Sequence, residues 1–501
     1  MSEYLHGAYG QVQAVGSRLT IDSQSALVLI GTAPVNTVEG GANNVNKPIV
    51  VRNMAEARKY FGDSTNWTTY TLCEAFHYLL EVKGVAPLVV INVLDPAIHK
   101  ASTKTTVAKT PSNGRVILTS AGSVILDTIE VKTGTSPNQT TKVKGTDYSL
   151  TYDYKKARVI IQELTAGALG TAELTVEYYA VDTTSLTDTT VIGTTDGLGA
   201  NTGIYAVQDV YPATGMIPAF LMAPGWSQIP AVHTALYQNS QKINGHWDAF
   251  IFADLPLLNS STPLTFETVA TYKAANGYDK ENEKVFFPKF KGTDGKIYFG
   301  SVLYAGNFLE LLAEYDGIPW HTASNTECAI ISSLYMGAGV YKVFDDKIIN
   351  EKLNKNGITS AAFVGGRWAL WGAHSAAYNP TDADSINVAE TNTMMLFYIS
   401  NDFQQRRVPD VDRPMTANDL QSIVAEEQSR LDALASIGAL IGTPVAAINA
   451  DEIAQSDVYQ GDFSFTFDVT TTPLAKSLTA KVNWTDDGFV TYFENLQSDL
   501  T

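Results

Sequence analysis

Apolar positions change their period several times along the chain, and each change marks a segment of different architecture. Ala26-Leu27-Val28-Leu29-Ile30 is a continuous apolar run, the pattern of a strand covered on both faces. A Gly/Asn-rich loop at 39–46, a short strand Ile49-Val50-Val51 and a helix from Met54 to Tyr60 follow. Over about 68–82, Leu72, Ala75, Phe76, Leu79 and Leu80 recur at i, i+3, i+4, i+7 and i+8, which builds one apolar helix face. Pro87 to Leu94 is again a continuous apolar run. Strand, helix and strand at these lengths argue for an α/β layer.

Between His99 and Tyr205 Phe, Trp, Met, His and Cys all vanish, and Thr, Ser, Val and Gly crowd the chain. Arg115-Val116-Ile117-Leu118, Tyr148-Ser149-Leu150-Thr151-Tyr152 and Glu173 to Tyr178 alternate as strands do. This stretch reads as an all-β insert with a modest core. The α/β pattern returns with a strand at Ile217–Met222, a helix over 227–242 and a strand at Trp247–Phe252. From 386 a last unit carries a helical stretch at about 416–440 and alternating strands at Asp462–Val469 and Ser477–Val482.

These breaks divide the chain into an arm at 1–22, a discontinuous α/β core at 23–98 and 200–385, and the insert at 99–199. A C-terminal α+β domain at 386–487 and a second arm at 488–501 complete it. The fold class is α/β (α+β) and multidomain, as expected of 501 residues when one domain holds about 100–200. Neither arm has the residues to make a core of its own.

Composition narrows the function. The net charge is −18 and the nearest basic cluster, Arg406, Arg407 and Arg413, is interrupted by Asp410 and Asp412, so nucleic-acid binding is not expected. Only Cys73 and Cys328 occur, which excludes a disulfide framework and suits a reducing cytoplasm. The opening MSEYLHGAYG lacks the basic and apolar regions of a signal peptide. No apolar run approaches the roughly 18 residues of a membrane span. A low charged fraction of 17% fits a subunit that hides surface in partners, or one whose many Thr, Ser and Asn residues supply the polarity instead.

Catalytic signals are weak. Gly292-Thr293-Asp294-Gly295-Lys296 has the letters of a phosphate loop in the wrong arrangement and reads as a hairpin turn. Asp196 to Asn201 is Gly-rich but lacks the preceding strand and third glycine of a dinucleotide fingerprint. In Gly372-Ala373-His374-Ser375-Ala376 the serine is not centred between close glycines, as a nucleophile elbow requires. The seven histidines are scattered, and the acidic pairs Asp451-Glu452 and Asp486-Asp487 lack calcium-loop spacing. No catalytic residue, cofactor or metal ligand is assigned.

Several segments, taken in order, carry a family resemblance. Tyr4-Leu5-His6-Gly7-Ala8-Tyr9, Ala223-Pro224-Gly225-Trp226, Asp248 to Pro256, Asp316 to Asn325 and Gly366 to Ala373 are collinear with the sheath proteins of contractile phage tails. Ile386-Asn387-Val388 through Tyr398-Ile399 resembles the start of the sheath C-terminal domain. The resemblance covers about 1–98 and 200–501. Two departures stand out: His374-Ser375 replaces an Arg-Thr common in relatives, and Val388 to Asn392 lacks the usual basic residues.

The resemblance implies a structural subunit, not an enzyme. It implies a virion tail sheath of stacked six-membered rings, assembled in the host bacterial cytoplasm around an inner tail tube and joined to baseplate and tail terminator proteins. Contraction of such a sheath drives the tube through the host envelope. The family's subunits lend terminal arms to neighbours, which assigns Tyr4, Leu5, His6, Gly7, Tyr9 and Val12, with Phe489, Val490, Tyr492 and Phe493, to inter-subunit contact. Glu426, Glu427 and Arg430 on the 416–440 helix are the candidates for facing the tube. The insert is expected to point outward. An α/β enzyme acting on glycans through carboxylates, and another virion component such as a capsid or baseplate protein, remain the alternatives.

Overall fold

A computed structural model describes residues 25–134, 139–381, 385–448 and 455–499. The arm expected at 1–22, with Tyr4, Leu5, His6, Gly7, Tyr9 and Val12, lies outside the described residues. The described chain begins with β1 (Ser25–Gly31), β2 (Ile49–Val51), α1 (Met54–Phe61), α2 (Leu72–Ala75) and β3 (Leu88–Asn92). Helix α2 runs on as a π-helical stretch over Phe76–Val82, so the apolar face read at 68–82 starts at Leu72.

Strands β4 (Thr105–Lys109), β5 (Arg115–Leu118), β6 (Glu130–Thr133) and β7 (Thr140–Lys142) come next. They are followed by β8 (Tyr148–Asp153), β9 (Arg158–Glu163), β10 (Leu174–Tyr178) and the short helices α3 (Asp188–Ile192) and α4 (Val210–Thr214). The α/β succession resumes with β11 (Ile217–Met222), α5 (Pro230–Gln238) and β12 (Phe250–Asp254). The helix expected over 227–242 is shorter because Pro230 takes its first turn and Asn239 closes it.

A small hairpin, β13 (Leu258–Asn259) and β14 (Thr262–Pro263), leads to α6 (Val269–Ala275) and β15 (Glu283–Phe286). Then come β16 (Lys289–Gly292), β17 (Ile297–Tyr298), α7 (Gly300–Glu314), β18 (Ile331–Tyr335) and β19 (Tyr341–Lys342). The turn between β16 and β17 places Gly295 at φ +86, the conformation that the Asp-Gly pair signalled. Helix α8 (Asp346–Lys352) and strands β20 (Ile358–Val364) and β21 (Arg367–Trp371) complete the core. The C-terminal part holds α9 (Glu390–Arg407), α10 (Ala417–Ser436), β22 (Leu440–Ile448), α11 (Gln455–Gln460), β23 (Phe465–Thr471) and α12 (Asp487–Asp499).

The central sheet has eight strands in the order β2-β3-β1-β11-β12-β15-β20-β21. Six are parallel, and only the outer strands β2 and β21 run against their neighbours. All residues of β3, β12 and β15 are buried; β3 and β12 read as apolar runs for that reason, whereas β15 carries Glu283 and Lys284 and does not. Helix α7 buries every residue from Gly300 to Leu309, so it shows no stripe and escapes a reading by periodicity.

Strands β4 to β10 form two sheets, β4-β10-β6-β7 and β5-β9-β8, around Val116, Leu118, Val131, Tyr148, Val159, Ile161, Leu174 and Val176. This core is aliphatic apart from Tyr148. Its 122–127 loop is tied to the α/β body by side chains. Asn36 Nδ2 donates to Gly122 O and Val124 O at 3.0 Å each, the Tyr70 hydroxyl donates to Gly122 O at 3.1 Å, and Asp127 accepts from Gly40 N at 2.9 Å.

Helix α10 starts on a capping box in which Thr416 and Asp419 satisfy each other's backbone N–H groups. It ends four residues short of the expected 440, because Gly438 at φ +85 reverses the chain into β22. The first turn of α9 is welded to the sheet by a buried charge pair. Lys284 of β15 donates to Glu390, and both side chains are wholly buried. The Lys284 amine also donates to Gly372 O at 2.7 Å, and Glu390 accepts from the Tyr304 hydroxyl and from Thr322 Oγ1 at 2.6 Å. Burial pulls the Lys284 amine below its usual range against the opposing pull of Glu390.

Breaking such a pair strands a charge in the core. Lys284→Met alone is expected to cost about 3–5 kcal/mol in denaturant unfolding, and Lys284→Met with Glu390→Leu to cost clearly less. A single substitution costing under about 1 kcal/mol would show that the pair does not hold α9 to the sheet.

Candidate functional site

In doubly wound sheets, ligands bind outside the carboxyl ends of the strands where the strand order reverses. Here the reversal falls between β1 and β11, since the chain moves from β1 to β3 on one side and later to β11 on the other. That crevice is filled by Thr71. Thr71 Oγ1 accepts from Thr32 N at 3.3 Å, and Thr71 N donates to Thr32 Oγ1 at 3.2 Å. A Cβ on Gly31 would lie 2.6 Å from Thr71 Oγ1, and one on Gly225 would lie 2.6 Å from Thr71 Cγ2. The close approach leaves no room for a nucleotide or a substrate.

The next carboxyl end carries two buried acids, and both act on the protein itself. Asp254, at the end of β12, accepts from Ser301 N at 3.0 Å and from the Ser301 hydroxyl. Glu74 accepts from Phe299 N at 2.6 Å. These acceptors satisfy open N–H groups at the start of α7, where the helix dipole favours negative charge. Burial pushes Asp254 up to about 6 and Glu74 upward as well, with Lys289 as the neighbouring cation. Both carboxylates thus hold the start of α7 to the sheet.

The His374-Ser375 pair dissolves in the same way. His374 Nδ1 bonds to Val388 O, and its ring stacks on Tyr378 at 3.6 Å. Ser375 donates to Asn387 at 3.3 Å. The two side chains do not touch each other in a relay, and burial drops His374 to about 4. They form a joint between the end of the sheet and α9.

What the C-terminal part leaves open is backbone. Strands β22 and β23 form a sheet of only two strands, packed on α9 and α10 by one face. Phe403 of α9 meets Phe465 and Phe467 of β23 at ring distances of 5.7 and 5.3 Å. Still, Phe465, Phe467 and Val469 are only half-buried. Gln428 of α10 clips the outer edge of β22, bonding Pro444 O and Ala446 N at 2.9 Å each. The outer edge of β23 meets no backbone group of another described residue. Two strands alone are marginal in water, and an open edge is a template for another strand.

Beyond β23 lies the reverse situation. No strand forms at 477–482, contrary to the alternation there. Between Pro473 and Thr485 no backbone group bonds to the backbone of another described residue. Leu478, Val482 and Trp484 are 92%, 91% and 80% exposed, and their even spacing puts them on one side of an extended chain. The segment expected as an extended arm from 488 is helical: α12 carries Phe489, Val490, Tyr492 and Phe493, and every one of its residues is exposed. Exposed apolar surface on this scale marks a missing partner.

No family model matches the sequence, and no curated relative does. Solved structures do match. The helical sheath of the anti-feeding prophage in its contracted state superposes with a TM-score of 0.53, at 12% identity, over 97% of this chain and 100% of that one. A chain of the anti-feeding prophage baseplate in its contracted state gives 0.54 at 13% identity over 96% and 99%. The sheath tail protein of Desulfitobacterium hafniense gives 0.50 at 11% identity over 93% and 100%. The chain has the fold of a contractile-tail sheath protein. At these identities the shared property is the fold, and it spans nearly the whole length of each chain.

Within this sheath fold, the charged residues of α10 divide into two kinds. Glu426 projects outward with its side chain 63% exposed, although it reaches Arg407 at 2.7 Å. Arg430 is partly exposed and pairs with Asp402 at 2.7 Å. Glu427 corrects the expectation of a surface group. It is 2% exposed and holds both Arg406 and Arg407 of α9 at 2.6 Å. An outward helix face alone would not bury it; the arginine pair on the neighbouring helix draws it inward, a contact that no periodicity within α10 reveals.

Burial opposes ionisation of Glu427, but the guanidinium hydrogen bonds outweigh it and hold the carboxyl below its ordinary 4.5. Its stabilisation is therefore present at neutral pH and is lost as pH falls through its lowered folded value. Glu427→Gln is expected to cost about 2 kcal/mol at pH 7 and much less near pH 3, read from unfolding curves at both values. An equal cost at the two pH values would reject the ionic account.

Proposed function

We propose that this chain is the repeating subunit of a contractile sheath, forming six-membered rings that stack helically around an inner tail tube. The single observation that carries the reading is the complementarity just described. One sheet in the C-terminal part lacks a strand, and one extended apolar strand in the same chain lacks a sheet. Within a single copy the mismatch stays open; between copies it closes. The tail of one subunit adds to the open edge in a neighbour by backbone pairing, a mode that needs no special side-chain chemistry.

The energy is sufficient for a permanent link. About five backbone hydrogen bonds at roughly 0.5–1.5 kcal/mol each give several kcal/mol. Burying Leu478, Val482 and Trp484 adds roughly 1.5–3 kcal/mol for each side chain. Residues 1–22 supply a second connecting segment through Tyr4, Leu5, His6, Gly7, Tyr9 and Val12, and α12 supplies Phe489, Val490, Tyr492 and Phe493. Such links persist while the α/β bodies rotate and repack, so contraction of the sheath moves the tube through the host envelope without dissolving the lattice.

In this reading the β insert points outward, and Glu426 and Arg430 on α10 lie toward the tube. The particle assembles in the host bacterial cytoplasm and is bounded by baseplate and tail terminator proteins. The subunit has no catalytic role and needs no cofactor.

Negative-stain electron microscopy of the chain expressed alone is expected to show hollow striated tubes of uniform width. Closed shells would point instead to a capsid-like protein. Deleting residues 1–20, or truncating after Thr472, should abolish the tubes and leave a monomer that unfolds cooperatively. Normal tubes from both truncations would sink the arm model.

A further inference from the structure

We infer that the cleft between α1 and the β insert is a binding site for a neutral saccharide. The cleft encloses about 300 Å³, at the small end of ligand pockets, and sits where two units meet, a preferred place for such sites. Its core side is the loop at Thr37–Glu39 and the end of α1, with Arg58, Lys59 and Asp63. Its insert side is β8 and its extension, where Leu150, Tyr152 and Tyr154 continue the inward-facing row begun by Tyr148. The bonds from Asn36 and Tyr70 to the 122–124 backbone fix the joint beside it, so the cleft is pre-formed.

The lining selects the class of ligand. Arg58, Lys59 and the adjoining Lys144 are balanced by Glu39, Asp63 and Asp127, so the cleft carries no excess charge to attract a phosphate or a carboxylate. Leu126, Leu150 and the tyrosine rings offer apolar walls suited to the C–H face of a sugar ring. The Tyr154 ring is held in place by the Arg58 guanidinium, 4.4 Å from its centroid.

Hydrogen-bonding capacity remains for hydroxyls. Arg58 Nε binds Asp63 Oδ2 at 3.0 Å, while Asp63 Oδ1 accepts no hydrogen bond among the described residues. The Tyr152 hydroxyl likewise has no hydrogen-bond partner among them, and Lys59 forms no ion pair there. A ligand with one apolar face and a rim of uncharged hydroxyls satisfies these groups together.

Saturation-transfer NMR on the purified full-length chain tests this with glucose, galactose, N-acetylglucosamine, maltose and cellobiose, and with inorganic phosphate as the anionic probe. At least one sugar should receive saturation on its ring protons. Asp63→Asn and Tyr154→Ala should each weaken its binding by about tenfold or more, the loss expected for one hydrogen bond to a charged group or one stacking wall. Thermal unfolding of both variants shows which of them folds, and either one alone suffices for the comparison. The assignment is overturned if no sugar is saturated, if a folded variant binds as the parent does, or if phosphate displaces the sugar.

Discussion

The chain is governed by a rule about backbone: a strand edge must find a partner or be covered. The central sheet obeys it internally. Its outer strand β21 is met by the 325–328 segment, where Asn325 N donates to Leu370 O at 2.6 Å and Cys328 N donates to Trp368 O at 2.9 Å. The two-stranded sheet of β22 and β23 does not obey it, and neither does the extended segment that follows β23. The same polypeptide therefore contains one closed body and one unfinished sheet with a strand to spare. The proposed polymerisation would complete both at once.

A body meant to be handled by its edges gains from being rigid. The crevice that other doubly wound proteins keep open for a ligand is here packed with Thr71 against Gly31 and Gly225. The buried acids at the carboxyl edge, Glu74 and Asp254, tie α7 to the sheet instead of facing a substrate. Lys284 and Glu390 tie α9 to the same sheet. These buried polar groups act as joints between elements of the fold. The unfinished C-terminal sheet is thus mounted on the body through α9.

The insert is attached differently. A few side-chain bonds to one of its loops hold it beside α1, and its aliphatic core is separate from that of the body. The cleft lies at this joint.

Much was legible in the sequence. Strands β1, β3, β11 and β12 read as apolar runs because both of their faces are covered, and β2 and β5 appear with the bounds expected of them. Helix α10 also starts where a helical stretch was expected, near 416. Two long helices did not show themselves. Helix α7 is buried nearly all round, and α9 buries Met394, Met395 and Asn401 with no single apolar stripe. Nor did the sequence show that Glu427 turns inward, since its partners Arg406 and Arg407 stand on another helix.

By itself, then, the sequence determined the local periods: which segments are covered on both faces, where chain composition changes, and which stretches alternate. Only the tertiary structure decided which edges are left without neighbours. Alternation at 477–482 states that a strand can form there, but a strand exists only against another strand. No other described strand pairs with it, so the segment stays unpaired and exposed. Periodicity is a property of one segment, whereas pairing is a property of two, and the second is set by where the whole chain places them.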